Sequence, residues 1–336
     1  MKTIFAVDDS DTNLSMVIES LENHYRVMTM SSAAKMFALL ENITPDLILL
    51  DIEMPGMNGF EALERLKSNE SWAEIPVMFL TGRTAAAVEV HGFELGAVDF
   101  VTKPFSAPVL LNRIKTHLDI DKIIRERTAQ LRRLQSSLVS VLADMVENRD
   151  QWTGGHIERT SKYIKILIDE MKERGVYADE MRGWDPDNII SSARMHDLGK
   201  ISITDLILNK PGKLTADEYE KMKTHTTEGE RIIDEIITLT GEWEFLHNAK
   251  LFAGSHHERF DGNGYPRGLK GMQIPLQGRI MAIIDSYDAL VSERSYKKAF
   301  PHEKAVNIIM ADAGSNYDPE IAEVFFSVRD KFKTVK

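Results

Sequence analysis

Five polar side chains in the first third of the chain stand where short apolar runs end: Asp8, Asp9, Asp51, Thr81 and Lys103. Carboxylate oxygens bind Mg2+, which neutralises the charge of a phosphoryl group, while lysine and threonine donate hydrogen bonds to its other oxygens. One carboxylate is then left to attack phosphorus as a nucleophile. Taken singly, each residue is better explained as part of a solvated turn or loop. Together they predict phosphoryl transfer to Asp51, the central carboxylate.

The apolar runs that precede these side chains alternate with helical patterns between residues 3 and 118. Strands are predicted for the runs at 4–7, 25–29, 46–51, 75–80 and 98–101. Helices are predicted near 13–22, 32–41, 59–67, 85–95 and from 107 onward. This alternation predicts an α/β fold with a doubly wound, five-stranded parallel sheet. Because such sheets bind ligands beyond the carboxyl ends of their strands, the polar side chains should meet at one edge.

The segment Leu50–Gly59, LDIEMPGMNG, together with these polar residues resembles the CheY-like receiver family over about residues 2–120. The resemblance implies that Asp51 accepts phosphate from a histidine kinase. It also implies a Mg2+ site formed by Asp8, Asp9 and the backbone of Glu53. Residues 1–120 are therefore predicted to form a receiver domain.

The same resemblance implies that Thr81 and Phe100 form a switch pair, with Lys103 beside the phosphoryl group. A hydroxyl drawn toward a phosphoryl group leaves space into which an aromatic ring can turn, which is a two-state packing change. Phe100 is also simply a core aromatic, and it keeps that role in one of the two states.

A second set of chemically capable residues lies in the other half of the chain. Cysteine is absent, so any metal must bind to His, Asp or Glu. The chain has ten histidines, and the candidate ligands are His156, His196, Asp197, His225, His256, His257 and Asp285. Their spacing suits consecutive helices that each present one or two ligands to a bundle interior. A single histidine in a helix is more simply a hydrogen-bonded core or surface residue, the interpretation given to His24, His91, His117, His247 and His302.

The adjacent pair His196-Asp197 indicates a dinuclear site. Both side chains can serve only where a helix presents them to neighbouring metals, with Asp197 as the shared bridge. Two metals can activate a water and stabilise the oxygens of an in-line phosphoryl displacement. Hydrolysis of a phosphodiester is the reaction that follows.

Two motifs carry a second resemblance, over about residues 145–330. The run 196–200, HDLGK, is similar to the signature of the HD metal-dependent phosphohydrolase superfamily, and 256–266, HHERFDGNGYP, matches its HD-GYP subgroup. The resemblance implies one metal on His156, His196, Asp197 and Asp285, and the other on Asp197, His225, His256 and His257. Iron or manganese is favoured by the family, whereas the ligand chemistry alone also permits nickel, cobalt or zinc.

The HD-GYP resemblance implies hydrolysis of cyclic di-GMP to linear pGpG, or onward to GMP, and cyclic GMP-AMP remains an alternative substrate. Lys200 would donate to the scissile phosphate. Arg294 and Lys297 would clamp phosphate, or else form a solvated basic face. Tyr265 would contact either the substrate or a diguanylate cyclase partner. Trp152 occupies the position at which some relatives carry a third-metal glutamate, so two metals are predicted.

A heptad stripe between residues 120 and 145 predicts a parallel helix pair and hence a homodimer. Its positions are Ile120, Ile124, Arg127, Leu131, Leu134, Leu138, Val141 and Met145. The alternative is a helix that packs on its own domain. The predicted organisation is therefore a receiver at 1–120, a helical linker at 121–146, and an all-α helical-bundle HD-GYP domain at 147–336.

Composition excludes other functions. The net charge of −11 repels nucleic acid, so DNA binding is not expected. No apolar run approaches the length of a membrane span and no secretion signal is apparent, so a cytoplasmic location is predicted. The remaining rival is a phosphorylation-gated interaction module with a vestigial site that docks diguanylate cyclases. In the favoured hypothesis, phosphorylation of Asp51 regulates the phosphodiesterase.

Overall fold

A computed structural model describes residues 1–69, 71–82, 86–149, 155–293 and 298–335, without the side chain of Arg132. The predictions for Trp152, Arg294 and Lys297 fall outside these residues. The chain forms two compact units, Met1–Leu131 and Arg132–Lys336. Among the described residues, none of the helices is both long enough and apolar enough to cross a membrane.

The first unit is built on a parallel sheet in the order β2-β1-β3-β4-β5, which confirms the predicted fold class. The strands are β1 (Thr3–Val7), β2 (Arg26–Met30), β3 (Leu47–Asp51), β4 (Val77–Thr81) and β5 (Asp99–Thr102). Every residue of β3 and β4 is buried, as expected for central strands covered on both faces. In the register of the sheet Asp51 pairs with Leu80, and Thr81 pairs with Thr102. The candidate residues thus fall at one edge.

Helices cover both faces of the sheet. They are α1 (Asp11–Leu21), α2 (Ala33–Leu40), α3 (Gly59–Lys67), α4 (Ala86–Glu94) and the beginning of α5 (Ala107–Arg149). Asn58 begins α3 with a capping box, since its side chain accepts from the backbone of Phe60 and Glu61 while Glu61 bonds back to it. Gly59 allows this helix to start directly beneath β3, because a Cβ there would overlap the carbonyl oxygen of Asp51.

Helix α5 is continuous for 43 residues and has two different apolar faces. One face, with Val139, Ala143 and Val146, is buried in the core of the second unit. The apolar side chains of the heptad stripe are instead 47–65% exposed: Ile120, Ile124, Leu131, Leu134, Leu138, Val141 and Met145. Near its start, α5 is held to β5 because Asp99 accepts hydrogen bonds from Arg113 and His117.

The second unit is mostly helical, as predicted. After α5 it contains α6 (His156–Arg174), α7 (Pro186–Ala193), a 3-10 turn (Leu198–Ser202), α8 (Asp205–Leu208), α9 (Ala216–Lys223), α10 (His225–Thr240), α11 (Glu244–Ser255), a 3-10 turn (Gly271–Gln273), α12 (Leu276–Val291), α13 (His302–Ala311) and α14 (Pro319–Lys333). Its main core includes α6, α12 and α14, where Tyr163 stacks on Phe332 at 4.7 Å and meets Tyr287 edge-on.

Candidate phosphoacceptor site and metal centre

Three carboxylates meet at the carboxyl edge of the sheet. Oxygens of Asp8, Asp9 and Asp51 all lie within 4.8 Å of one another. The Lys103 ammonium reaches two of them, at 2.6 Å from Asp8 and 3.0 Å from Asp51. Asn13 donates to both oxygens of Asp8 and holds that carboxylate in place. Three carboxylates against one ammonium leave an excess of negative charge, which fits a hard divalent cation such as Mg2+.

Burial raises the pKa of Asp51 above its usual value, and the neighbouring Asp8 adds to the rise. Lys103 opposes it through a hydrogen bond and its charge. The Asp51 side chain is only 9% exposed, so its charge depends on these neighbours more than on water. The lysine therefore helps to keep the central carboxylate ionised, the form in which it can attack phosphorus.

The two residues of the predicted switch pair are both buried. Thr81 ends β4 and Phe100 lies in β5, with exposures of 1% and 6%. The Phe100 ring packs between Phe79 and Phe93, with centroids 5.2 and 4.9 Å away. Gly92 makes room for it, since a Cβ at that position would overlap the ring tip. The ring is therefore in an inward position, and the switch role stays a prediction. So does Mg2+ binding through the backbone of Glu53, whose side chain is exposed.

In the second unit the predicted metal ligands form two clusters. Ligand atoms of His156, His196 and Asp285 lie within 4.8 Å of one another, and the same holds for His225, His256 and His257. Most ligands stand at helix ends: His156 begins α6, His225 begins α10, and His256 and His257 follow α11, while Asp285 lies within α12. We expected His196 and Asp197 to project from a helix, but they occupy a turn after α7, which ends at Ala193.

Backbone carbonyls at helix ends orient three of the imidazoles. Nδ1 of His196 faces the carbonyl of Ala193, Nδ1 of His225 that of Met222, and Nδ1 of His256 that of Phe252, at 2.7–3.0 Å. Each of these carbonyls lies in the last turn of a helix and accepts one backbone N–H. A carbonyl oxygen has two lone pairs, so a second remains for the imidazole. A carbonyl can only accept, so Nδ1 carries the proton and Nε2 of a neutral ring keeps its lone pair.

The lone pairs of His225 and His256 face each other. Their Nε2 atoms are 3.3 Å apart, and burial lowers the pKa of both rings, which keeps both neutral. Two lone pairs at this distance repel unless a cation lies between them. Two nitrogens each about 2.1 Å from a tetrahedral ion would be about 3.4 Å apart. The donor set therefore fits a transition metal. In the other cluster, the Nε2 atoms of His156 and His196 are 3.4 Å apart.

Asp197 lies between the two clusters. Its Oδ2 is 3.4 Å from Nε2 of His196, while its Oδ1 is 3.5 Å from Nε2 of His225 and 3.8 Å from that of His256. Burial alone would raise the pKa of Asp197, but the Lys200 ammonium and the histidines outweigh burial and hold the pKa well below its usual range. Lys200 contacts Oδ2 at 2.7 Å. One oxygen toward each cluster is the arrangement of a bridging carboxylate.

Comparisons with known proteins identify a domain family for each of the two units. Residues 4–115 match the response regulator receiver domain, and residues 140–321 match the HD domain. A Vibrio cholerae protein named probable cyclic di-GMP phosphodiesterase is 39% identical, over 98% of this chain and 78% of that protein. The chain belongs to the HD-domain response regulators. The family-level prediction of a receiver followed by a metal-dependent phosphodiesterase domain is thereby confirmed.

Two further relatives mark the range of this family. The Xanthomonas campestris pv. campestris cyclic di-GMP phosphodiesterase response regulator RpfG is 32% identical over 99% of this chain and 89% of its own length. The Vibrio cholerae 3'3'-cGAMP-specific phosphodiesterase 2 is 35% identical, but over 61% of this chain and 37% of that protein. The relatives that align along the whole chain thus carry the cyclic di-GMP name.

The HD domain contains an orienting carboxylate that the sequence reasoning missed. Asp288 is buried and accepts from Nδ1 of His156 at 2.9 Å and from Nε and Nη2 of Arg159 at 2.7 and 2.9 Å. Burial would raise its pKa, but these donors hold the pKa of Asp288 below its usual value. The carboxylate therefore fixes the proton of His156 on Nδ1 and turns Nε2 toward the cluster. The signal was present in the spacing, since Asp285 and Asp288 share a face of α12.

The end of α5 also supports the metal centre. Glu147 accepts at 2.7 Å from the backbone N–H of His156, which is the first residue of α6. The preceding Gly155 offers no side chain, so a carboxylate from another helix serves as the cap. Two residues further on, Arg149 donates to the carbonyls of Ile201 and Ile203, in and just after the 3-10 turn that follows Asp197. The last turn of α5 thus holds two segments that carry predicted ligands.

Glycine at position 199 allows the turn after His196-Asp197 to pack on α10. A Cβ there would overlap the carbonyl oxygen of His225 and the amide of Gly229. The HDLGK run therefore needs its glycine for a close backbone approach between two ligand-bearing segments.

The loop of the GYP motif is held from within. Buried Glu258 accepts from the backbone N–H groups of Arg267 and Leu269, at 2.7 and 2.9 Å. Gly264 passes so close to this backbone that a Cβ would overlap the amide of Arg259. The loop thereby places Tyr265 against His257, with stacked rings 4.8 Å apart. Tyr265 is half-buried beside a predicted metal ligand, so it belongs to the wall of the metal centre.

Proposed function

We propose that this protein hydrolyses cyclic di-GMP to linear pGpG in its HD domain, with GMP as a further product. The observation that carries the proposal is the pair of ligand clusters joined by Asp197, each with imidazole nitrogens at ligand spacing. The relatives with full-length alignment and a cyclic di-GMP phosphodiesterase name support this substrate over cyclic GMP-AMP.

Metal ligands and basic side chains would have separate roles in the hydrolysis. The seven predicted ligands would hold two metal ions, for which the resemblance favours iron or manganese. When bound, the metals supply water activation and charge neutralisation at phosphorus. Lys200 sits 2.7 Å from the bridging carboxylate and would donate to an oxygen of the scissile phosphate. Arg294 and Lys297 are proposed to bind phosphate as well.

The test is hydrolysis by the full-length protein, loaded separately with Fe2+ and Mn2+ and analysed by chromatography of the products. We expect pGpG from cyclic di-GMP, and none from the His196→Ala variant. Cleavage of cyclic GMP-AMP with cyclic di-GMP left intact would transfer the assignment to the other substrate. A vestigial site that only docks diguanylate cyclases predicts no hydrolysis of either. The placement of Tyr265 beside His257 favours the enzymatic role.

We further propose that a histidine kinase phosphorylates Asp51 with Mg2+ bound at Asp8 and Asp9, and that this regulates hydrolysis. Support comes from α5, which begins in the receiver and ends at Glu147 and Arg149, where it holds ligand-bearing segments. Turnover should differ between the unmodified protein and the protein carrying a phosphate mimic on Asp51. Equal turnover numbers would contradict the coupling.

We also propose a homodimer formed through the heptad stripe of α5. The support is that its apolar side chains are exposed, while another face of the same helix is buried. The double variant Leu134→Glu, Leu138→Glu should sediment as a monomer at concentrations where the unmodified chain is a dimer. Lys122→Glu and Arg133→Glu, off the seam, form the matched control. A monomeric unmodified chain at micromolar concentration would refute this proposal.

A further inference from the structure

Helix α9 carries two side chains that extend the wall of the metal centre toward solvent. Tyr219 and Lys223 are four residues apart and so share a face of this helix. Thr215 begins α9 with a capping box, and α9 ends at Lys223, two residues before His225 begins α10. The helix is therefore fixed at one end by its cap and at the other by the chain's entry into a predicted metal ligand.

These side chains form one group with Tyr265. The Tyr219 ring meets the Tyr265 ring edge-on, with centroids 6.5 Å apart. The Lys223 ammonium lies 5.5 Å from the centroid of Tyr219 and 5.7 Å from that of Tyr265. Because Tyr265 stacks on His257, the aromatic series runs from the metal cluster outward. Tyr219, at its outer end, is 49% exposed.

We propose that Tyr219 and Lys223 form a guanine-binding subsite, an inference that rests on the proposed phosphodiesterase. An exposed aromatic ring beside a phosphate-processing centre offers the flat face on which a nucleobase stacks. The ammonium next to it donates to acceptors on the edge of the base. Guanine presents O6 and N7, both acceptors, whereas adenine places an amino donor beside N7. Stacking thus supplies affinity, and Lys223 supplies the preference for guanine.

The position of the ammonium is not set by the aromatic rings alone. Glu220 on the same helix contacts Lys223 at 2.6 Å and is itself 67% exposed. The pair keeps the ammonium near the two rings in the absence of a base. If Lys223 only stabilised α9, its removal would not change the preference for one base over another. If it recognises guanine, its removal should weaken guanine binding selectively.

The experiment measures binding of 5'-GMP and 5'-AMP to the full-length, Mn2+-loaded protein by calorimetry. Tyr219→Ala should weaken binding of both nucleotides by roughly 5- to 150-fold, the usual loss for one base–aromatic stack, and Tyr219→Phe should retain binding. Lys223→Met, which keeps an apolar stem beside the rings, should weaken GMP by about 10-fold and leave AMP within about 2-fold. Trp243→Ala removes another exposed aromatic side chain and is the matched control.

The outcomes separate this subsite from the proposed reaction. Unchanged nucleotide affinity in Tyr219→Ala, in a protein that unfolds at the normal temperature, overturns the subsite. Equal losses of GMP and AMP in Lys223→Met overturn guanine selection, because the ammonium would then serve the phosphate common to both. If the unmodified protein shows the expected GMP preference but does not hydrolyse cyclic di-GMP, the reaction is refuted while the subsite stands.

Discussion

Replacing Asp288 by asparagine should weaken metal binding at only one of the two clusters. The carboxylate accepts from His156 and Arg159, and no side chain of the second cluster contacts it among the described residues. Asparagine keeps the shape but offers one acceptor and an amide donor. When the amide group faces Nδ1, the ring must move its proton to Nε2, the atom predicted to bind the metal. Loss of such an orienting partner costs about 10- to 100-fold in metal affinity, or about 1.4–2.7 kcal/mol.

A stability loss should accompany this change and must be separated from it. Arg159 would lose its charged partner, but its side chain is 22% exposed and also donates to Ser292 at 3.0 Å. We therefore expect about 2 kcal/mol, less than for a fully buried pair that is broken. Asp318→Asn is the matched control, since Asp318 is buried and pairs with Arg279 outside either cluster. Because this pair is fully buried, Asp318→Asn should lose more stability, about 3–5 kcal/mol, without a change in metal affinity.

The assay is Mn2+ titration by calorimetry at neutral pH, combined with denaturant unfolding of each variant. The expected result is one weakened site and one site of unchanged affinity in Asp288→Asn, with both sites unchanged in Asp318→Asn. The reasoning is refuted if folded Asp288→Asn binds two ions as tightly as the unmodified chain. It is also refuted if both sites weaken equally, because Asp288 then acts on the whole domain.

Three other perturbations test separate parts of the structure. Lys200→Met should lower kcat by about 100-fold or more while two metals stay bound, and a lowered metal content instead would assign the lysine to the ligand network. Gly199→Ala should lower the free energy of unfolding by about 1–3 kcal/mol, because its Cβ would overlap the carbonyl of His225, whereas Gly82→Ala has open space and should change little. For Asp99, burial would raise the pKa, but its hydrogen-bond partners on α5 hold the pKa below its usual value. The ionised carboxylate therefore stabilises the folded protein at pH values above the unfolded pKa of about 3.9. This stabilisation is lost as the pH falls through the folded pKa. Denaturant unfolding of Asp99→Asn should therefore show a deficit of about 1 kcal/mol at pH 7 that shrinks in acid, and an equal deficit at both pH values would contradict it.

The receiver fold could be predicted from sequence because its information is local. Each buried strand is a short apolar run, and each residue of the candidate phosphoacceptor site follows or ends such a run, as Asp51 follows Leu47–Leu50. Parallel topology then brings these ends together whatever the details of the helices. The predicted metal ligands could be chosen from sequence for a different reason, since few residue types bind transition metals and HDLGK is a distinctive run.

The two residues that were missed, Glu147 and Asp288, act through contacts between separate helices. Glu147 lies in α5 but caps the next helix, α6. It does so by accepting from a backbone N–H, a group that every residue except proline carries, so the sequence gives no sign of the contact. Asp288 was hidden for another reason, because a carboxylate in an amphipathic helix is normally a solvated residue. The turn at His196-Asp197 also differed from the expected helix, since α7 stops at Ala193, whose carbonyl accepts from both the backbone N–H and Nδ1 of His196.

The uninterrupted α5 imposes a constraint on how this architecture can change in length. Each residue added to an α-helix turns everything beyond it by about 100°. An insertion between the exposed stripe around Leu131 and the buried face at Val139 would thus swing one face out of phase with the other. Seven added residues return the phase to within about 20°. Insertions of whole heptads therefore keep the phase between the exposed stripe and the buried face of α5, whereas shorter insertions shift one face around the helix axis relative to the other.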